Sequence, residues 1–218
     1  MGNKLLGNLD GVALKLRPYI LFTSMNTILR GLNRRTRSIL DVGCGKGEPM
    51  RFINKTKRFY VVGVDIFEPY LKESKRGKIY DDYVLGDVRS LPFRLKSFDT
   101  CLCLQVLEHL EKKEAKKFLK SIEKISRHQV IISVPNDVCK QQPYDGNPWQ
   151  AHKSTWTPAE MKRLGYTVRG HGLPIPLSNK IQAIIGPLAY LQIIIGPLVY
   201  LFPRLAGNMV CWKRCSSE

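Results

Sequence analysis

Between residues 38 and 136 five short apolar runs follow one another: "SILDVG", "FYVVGVD", "DYVLGD", "FDTCLCL" and "VIISVPN". Each is rich in Val, Ile, Leu or aromatic residues, and most lack the strict alternation of a half-exposed strand. That is the pattern of parallel strands whose two faces are both covered by helices. The clearest helix between them is residues 111–126. Ala115, Phe118, Leu119, Ile122 and Ile125 form its apolar stripe, and Lys112, Lys113, Lys116, Lys117, Lys120 and Lys124 occupy the rest as a solvated outer face. Strand and helix repeated in this order predict a doubly wound α/β fold. Residues 12–32 read as helical with a break at Pro18, and 135–156 as loop. "TPAEMKRLGY" then signals a short helix, with Thr157 as N-cap, Pro158 at the first position, Glu160 closing a capping box and Gly165 ending it. The tail returns to a strand at 208–214.

Length and charge narrow the partners. The 218 residues suffice for one substantial core. Against 18 Asp and Glu stand 35 Lys and Arg, a formal +17, which favours anionic partners without choosing among nucleic acid, a membrane surface and a phosphorylated substrate. The six cysteines show no CxxC spacing, so no structural zinc site is expected. Cys101 and Cys103 would share one face of a strand as small buried residues. Asp10, Lys15 and Arg17 interrupt any secretory apolar run, and a reducing cytoplasm fits best.

Candidate chemistry begins where the first run enters "DVGCGKGEP". Glycines at 43, 45 and 47 allow backbone N–H groups to approach a ligand at the carboxyl edge of a parallel sheet. A dinucleotide turn, G-x-G-x-x-G, would need glycine at 48, where this chain has Glu48. The stretch instead resembles motif I of the class I S-adenosylmethionine-dependent methyltransferases, and the resemblance continues in order and spacing from about residue 36 to 134. It implies a Rossmann-like doubly wound, mostly parallel seven-stranded sheet with helices on both faces. Residues 1–37 would form an N-terminal helical segment and 38–218 the methyltransferase domain. S-adenosyl-L-methionine is the cofactor it implies. Asp41 would help hold the methionine amino group, with Gly43, Cys44, Gly45 and Gly47 forming the turn. Asp65, followed by Ile66, would bind the ribose hydroxyls, Asp87 the adenine amino group, and Val88 would lie beside the ring. Gln105 to His109 would lie below the sulfonium.

A sulfonium methyl is already activated, so transfer needs mainly in-line placement, and a base only when the acceptor must lose a proton. His109 and His152 are the candidate bases. Some related methyltransferases use a similar Glu-His pair as metal ligands; Gln105 stands where a further carboxylate would help, so no metal is expected. Trp149 and Trp156 flank His152 and could wall an apolar pocket.

Residues 181–203 carry no charge, and "IIGPLAYL" recurs there as "IIGPLVYL". Twenty apolar residues suffice for a membrane span, but two interior Gly-Pro pairs oppose one. The leading expectation is an apolar cap over the substrate site, at 176–206. Next come two short helices in a membrane interface, which would make the protein peripheral at an anionic membrane surface, and last a span. The first two favour a small or lipid-like acceptor. RNA or protein as acceptor, and a non-enzymatic membrane-associated scaffold retaining the cofactor pocket, are the alternatives.

Overall fold

The computed structural model describes residues 24–136, 141–172 and 195–215. Helix α1 (Ser24–Gly31) lies within the expected N-terminal helix; residues 12–23 of that helix, with Pro18, fall outside the described residues. Next come β1 (Ser38–Val42), α2 (Glu48–Ile53), β2 (Tyr60–Asp65), α3 (Glu68–Arg76) and β3 (Asp82–Leu85). They are followed by β4 (Phe98–Leu104), α4 (Lys112–Ile125) and β5 (Ser126–Pro135). The chain closes through α5 (Pro158–Arg163), β6 (Thr167–His171), α6 (195–201) and β7 (Asn208–Arg214).

One sheet holds all seven strands in the order β3-β2-β1-β4-β5-β7-β6. The first five strands run parallel, and β7 is antiparallel to both β5 and β6. This is the doubly wound architecture expected. Both faces of the sheet are apolar because successive residues serve opposite cores. Ile39, Val61, Leu102, Leu104, Ile131 and Val210 pack with Ile28, Met50 and Leu71 of α1, α2 and α3. Leu40, Val62, Cys101, Cys103, Val130 and Ile132 pack with Phe118, Leu119 and Ile122 of α4. Cys101 and Cys103 are buried on one face, as their spacing predicts. All five residues of the α4 stripe are buried. Burying each of its Phe, Leu and Ile side chains is worth roughly 1.5–3 kcal/mol.

Helix starts follow the local chemistry. Thr157 Oγ1 accepts the Glu160 N–H at 3.2 Å, and the Glu160 carboxylate accepts the Thr157 N–H at 2.9 Å, the reciprocal box expected for α5. Strand β6 has no counterpart among the predicted strands. Only Val168 among its five residues is a large apolar side chain, because it lies at the sheet edge and pairs with β7 alone.

Of the acids buried in the central strands, Asp41, Asp65 and Asp99, the first is the least exposed. Asp41 of β1 is 2% exposed, and its Oδ2 accepts the Tyr80 hydroxyl at 2.7 Å. Burial drives its pKa up from 3.8 to about 7 despite that bond, with nearby Asp65 adding to the rise. The folded state therefore holds a proton that the unfolded chain has already released, and this carboxyl costs stability as pH rises from about 4 to about 7. Asp41→Asn, which retains an oxygen for Tyr80, should remove that component. Its melting temperature relative to the unsubstituted protein should climb across this interval and level off above it, as read by thermal unfolding in a pH series.

Candidate functional site

A topological switch point lies between β1 and β4, since the chain leaves these neighbours towards opposite edges of the sheet. The carboxyl ends of β1 to β4 converge there on a partly open cleft. Its lining comes from four separate strand ends. Gly43 and Gly45 follow β1, Asp65 and Ile66 end β2, Asp87 and Val88 follow β3, and Gln105 and His109 follow β4. Eight of the residues predicted from the sequence thus meet in one place.

Sterics and hydrogen bonds fix the glycine turn. Gly43 has φ 71°, and a Cβ there would come within 2.3 Å of Val106 Cγ2. Only glycine can occupy that position without moving the β4 turn. The Gly43 and Cys44 N–H groups both donate to the Val64 carbonyl, at 2.8 and 2.9 Å. Asp65 completes the arrangement: Oδ2 accepts the Gly45 N–H at 2.7 Å and Oδ1 the Phe67 N–H at 2.8 Å. Burial raises its pKa, and the backbone hydrogen bonds oppose that rise. The same residue lines the cleft.

Across the cleft Asp87 is engaged by Arg89. The guanidinium Nε lies 3.0 and 2.9 Å from its two oxygens, and a terminal nitrogen lies 2.6 Å from Oδ2. Hydrogen bonding to Arg89 holds the Asp87 pKa below the usual carboxylate range. The other arm of Arg89 reaches Glu114 at 3.1 Å, and its guanidinium sits 5.7 Å from the centre of the Trp149 ring. At the β4 end Gln105 adopts φ 56°, unusual for a residue with a side chain, and donates through Nε2 to Ser133 Oγ at 2.9 Å.

Below this lies a cluster formed by the turn after β4 and the loop before α5. The Lys153 and Ser154 N–H groups donate to the Glu108 carbonyl, at 2.8 and 3.0 Å, tying the two segments together. His109 Nδ1 lies 3.2 Å from the Ala151 carbonyl, and its ring centre is 5.0 Å from that of His152. Burial lowers the His109 pKa. Glu108 is 2% exposed, its Oε2 has no hydrogen-bond partner, and burial pushes its pKa up to about 8. One ligand atom from each of Glu108, His109 and His152 lies within 4.8 Å of the others, a donor set that can hold a metal ion.

Four predicted residues do not line the cleft. Asp41 is buried beneath the turn against Tyr80, and Cys44 packs its side chain into the core on the α1–α3 face. Gly47 starts α2, where a Cβ would press within 2.8 Å of Ile79. His152 lies behind the cleft, against His109 and in the cluster with Glu108. Of the two tryptophans, Trp149 lines the cleft, whereas Trp156 is fully buried in the core and walls nothing. Arg89, Asn147, Gln150 and Lys153 line it without having been expected to. Arg89 stands two residues after Asp87 in sequence, which is the signal that could have identified it. Residues 176–194 of the expected cap lie outside the described residues.

A family model described as "Methyltransferase domain" matches residues 40–134, the span that supplies the β1 to β4 strand ends. An uncharacterized protein of Methanocaldococcus jannaschii is 30% identical over 119 residues, 54% of this chain and 50% of that protein. Ajmaline N-methyltransferase of Rauvolfia serpentina is 24% identical over 163 residues, 71% of this chain and 52% of that enzyme. The chain spans about half the length of these curated relatives. Among solved structures, a complex of the Haloferax volcanii Trm112 methyltransferase activator with a putative methyltransferase superposes with a TM-score of 0.61 at 14% identity, covering 99% of this chain and 96% of that one.

Replacing Gly43 by alanine should lower unfolding free energy by roughly 2–4 kcal/mol, combining left-handed backbone strain with the Val106 clash. Urea denaturation measures it, and Gly146→Ala, at positive φ with no neighbour within 4 Å of the added Cβ, is the control for strain alone.

Proposed function

We propose that this chain, which carries a class I S-adenosylmethionine-dependent methyltransferase-like domain, binds S-adenosylmethionine in the cleft and transfers its methyl group to a small or lipid-like acceptor. The observation that carries this is the convergence of Gly43, Gly45, Asp65, Asp87, Val88 and Gln105 on one cleft, each from a strand end that offers the group its part of the ligand requires.

Asp65, held by backbone N–H groups at the rim of the cleft, would accept both ribose hydroxyls. Ile66 and Val88 would flank the adenine, and its amino group would share the Asp87 carboxylate with Arg89. The tight Gly43–Gly45 backbone would pass under the methionine end, while Asp41 serves from below by holding Tyr80. The bound sulfonium supplies an activated methyl group, so the remaining task is placement. Val106 and Leu110, on the same turn as His109, line the cleft with apolar surface, which supports an apolar acceptor over a highly charged one. His109, positioned by the Ala151 carbonyl, takes the proton of a hydroxyl acceptor, and His152 backs its ring.

A second reading of the same cluster rests on the unpartnered Oε2 of Glu108. Three donors within 4.8 Å, one of them a buried carboxylate oxygen with no other use, fit a divalent cation held beside the acceptor. Such an ion would polarise an acceptor hydroxyl.

Calorimetry with S-adenosylmethionine should show one-to-one binding, weakened about 100-fold or more by Asp65→Ala, the loss of two charge-assisted hydrogen bonds at about 1.5–3 kcal/mol each. No heat with the unsubstituted protein would remove the proposal. Radiolabelled methyl transfer offered separately to lipid extract, total RNA and protein then selects the acceptor, with incorporation into lipid expected. For the cation, chelator-treated protein titrated with Mg²⁺, Mn²⁺ and Zn²⁺ should release heat that Glu108→Ala abolishes; without heat from any of the three, the cluster is left with proton transfer alone.

A further inference from the structure

Of the nine large hydrophobic side chains exposed among the described residues, four fall within residues 198–205: Leu198 at 49%, Leu201 at 61%, Phe202 at 56% and Leu205 at 49%. They are presented by a segment fastened firmly on its other side. Val199, Pro203 and Ala206 are buried, and Gly170 of β6 meets them so closely that a Cβ there would come within 2.4 Å of the Val199 carbonyl oxygen. Asn136, just beyond β5, donates through Nδ2 to the carbonyls of Pro203 and Ala206 at 3.0 and 2.8 Å. The outward leucines and phenylalanine therefore form a fixed ridge.

The ridge also has a definite place relative to the cleft. Asn136 bridges to Trp156, whose indole donates to Ser154 Oγ at 3.0 Å, and the Ser154 N–H donates to the Glu108 carbonyl. Ridge and cleft thus lie on the same carboxyl edge of the sheet, linked by one short chain of contacts.

We propose that the ridge Leu198–Leu205 is a docking face for an anionic lipid bilayer, which presents the cleft towards the surface from which a lipid-like acceptor would be drawn. This rests on the functional reading above for the acceptor, though not for the docking itself. Three observations select a bilayer. Exposed Arg204 stands within the ridge and the chain carries a formal +17, which together complement an anionic surface. The ridge continues in sequence from a charge-free run that begins at residue 181. Among the described residues no helix is long and apolar enough to cross a membrane, so the ridge would lie along the surface with its apolar side chains in the headgroup boundary.

Co-sedimentation with phosphatidylcholine vesicles, with and without phosphatidylglycerol, tests this. The unsubstituted protein should sediment with the anionic vesicles, and the double variant L201D/F202D should lose at least about tenfold in binding. Both side chains are exposed, so the variant should keep its melting temperature and its S-adenosylmethionine binding; should it not fold, Leu205→Asp alone serves the same purpose. Failure of the unsubstituted protein to bind anionic vesicles overturns the proposal. So does equal binding by the folded variant, which would assign the attraction to the basic surface alone, or a shift from dimer to monomer by the variant without vesicles, which would make the ridge a self-association face. Cofactor binding without vesicle binding sinks the docking face only. Vesicle binding without cofactor binding sinks the functional reading and leaves the docking face intact.

Discussion

The Asp65 carboxylate holds the site together. By taking the Gly45 N–H on one oxygen and the Phe67 N–H on the other, it fastens the turn after β1 to the end of β2. Without that bridge the glycine backbone would have little to fix its path, because glycines contribute no side-chain packing and lose the most conformational freedom on folding. The adjoining strands support it: Gly43 and Cys44 both donate to Val64, and Val106 closes over Gly43 from β4. A single carboxylate thus ties two strand ends together while lining the cleft between them.

Around this point the cleft mixes two kinds of chemistry. Asp87 is gripped by Arg89, which bridges onward to Glu114. His109, which also lines the cleft, belongs to the cluster with Glu108 and His152, where a buried carboxyl oxygen stands without a partner. Unpaired buried carboxyl oxygens are costly. Their retention next to a cleft is a stronger functional signal than the exposed ion pairs elsewhere on the surface.

Much of the fold was legible because strand and helix periodicities are local. Each buried strand in the parallel half announced itself as an apolar run, and the α4 stripe and α5 capping box appeared where residue spacing put them. What escaped depends on three-dimensional neighbours. Asp41 sits at the expected place in sequence, but whether a strand-end acid faces a ligand or the core is decided by Tyr80, 39 residues away. Trp156 and Trp149 look equivalent in sequence, yet one fills the core and the other lines the cleft. Glu108 was read as half of a Glu-His pair, and its significance emerged only with the loop that brings His152 alongside. Strand β6 was hidden because an edge strand pairing on one side needs little apolar sequence.

The position of β7 has a consequence for how the chain assembles. Among the described strands β6 pairs with β7 alone, and β7 follows the other six in sequence. Until Asn208–Arg214 slots in beside β5, the β5 edge stays open and β6 has no ladder to join. The β6–β7 pair therefore joins the sheet through long-range contacts with β5, and pairing of that kind is intrinsically slow. During the delay the open β5 edge is a template for other strands, so aggregation of nascent or refolding chains should be most acute before the last strand is available.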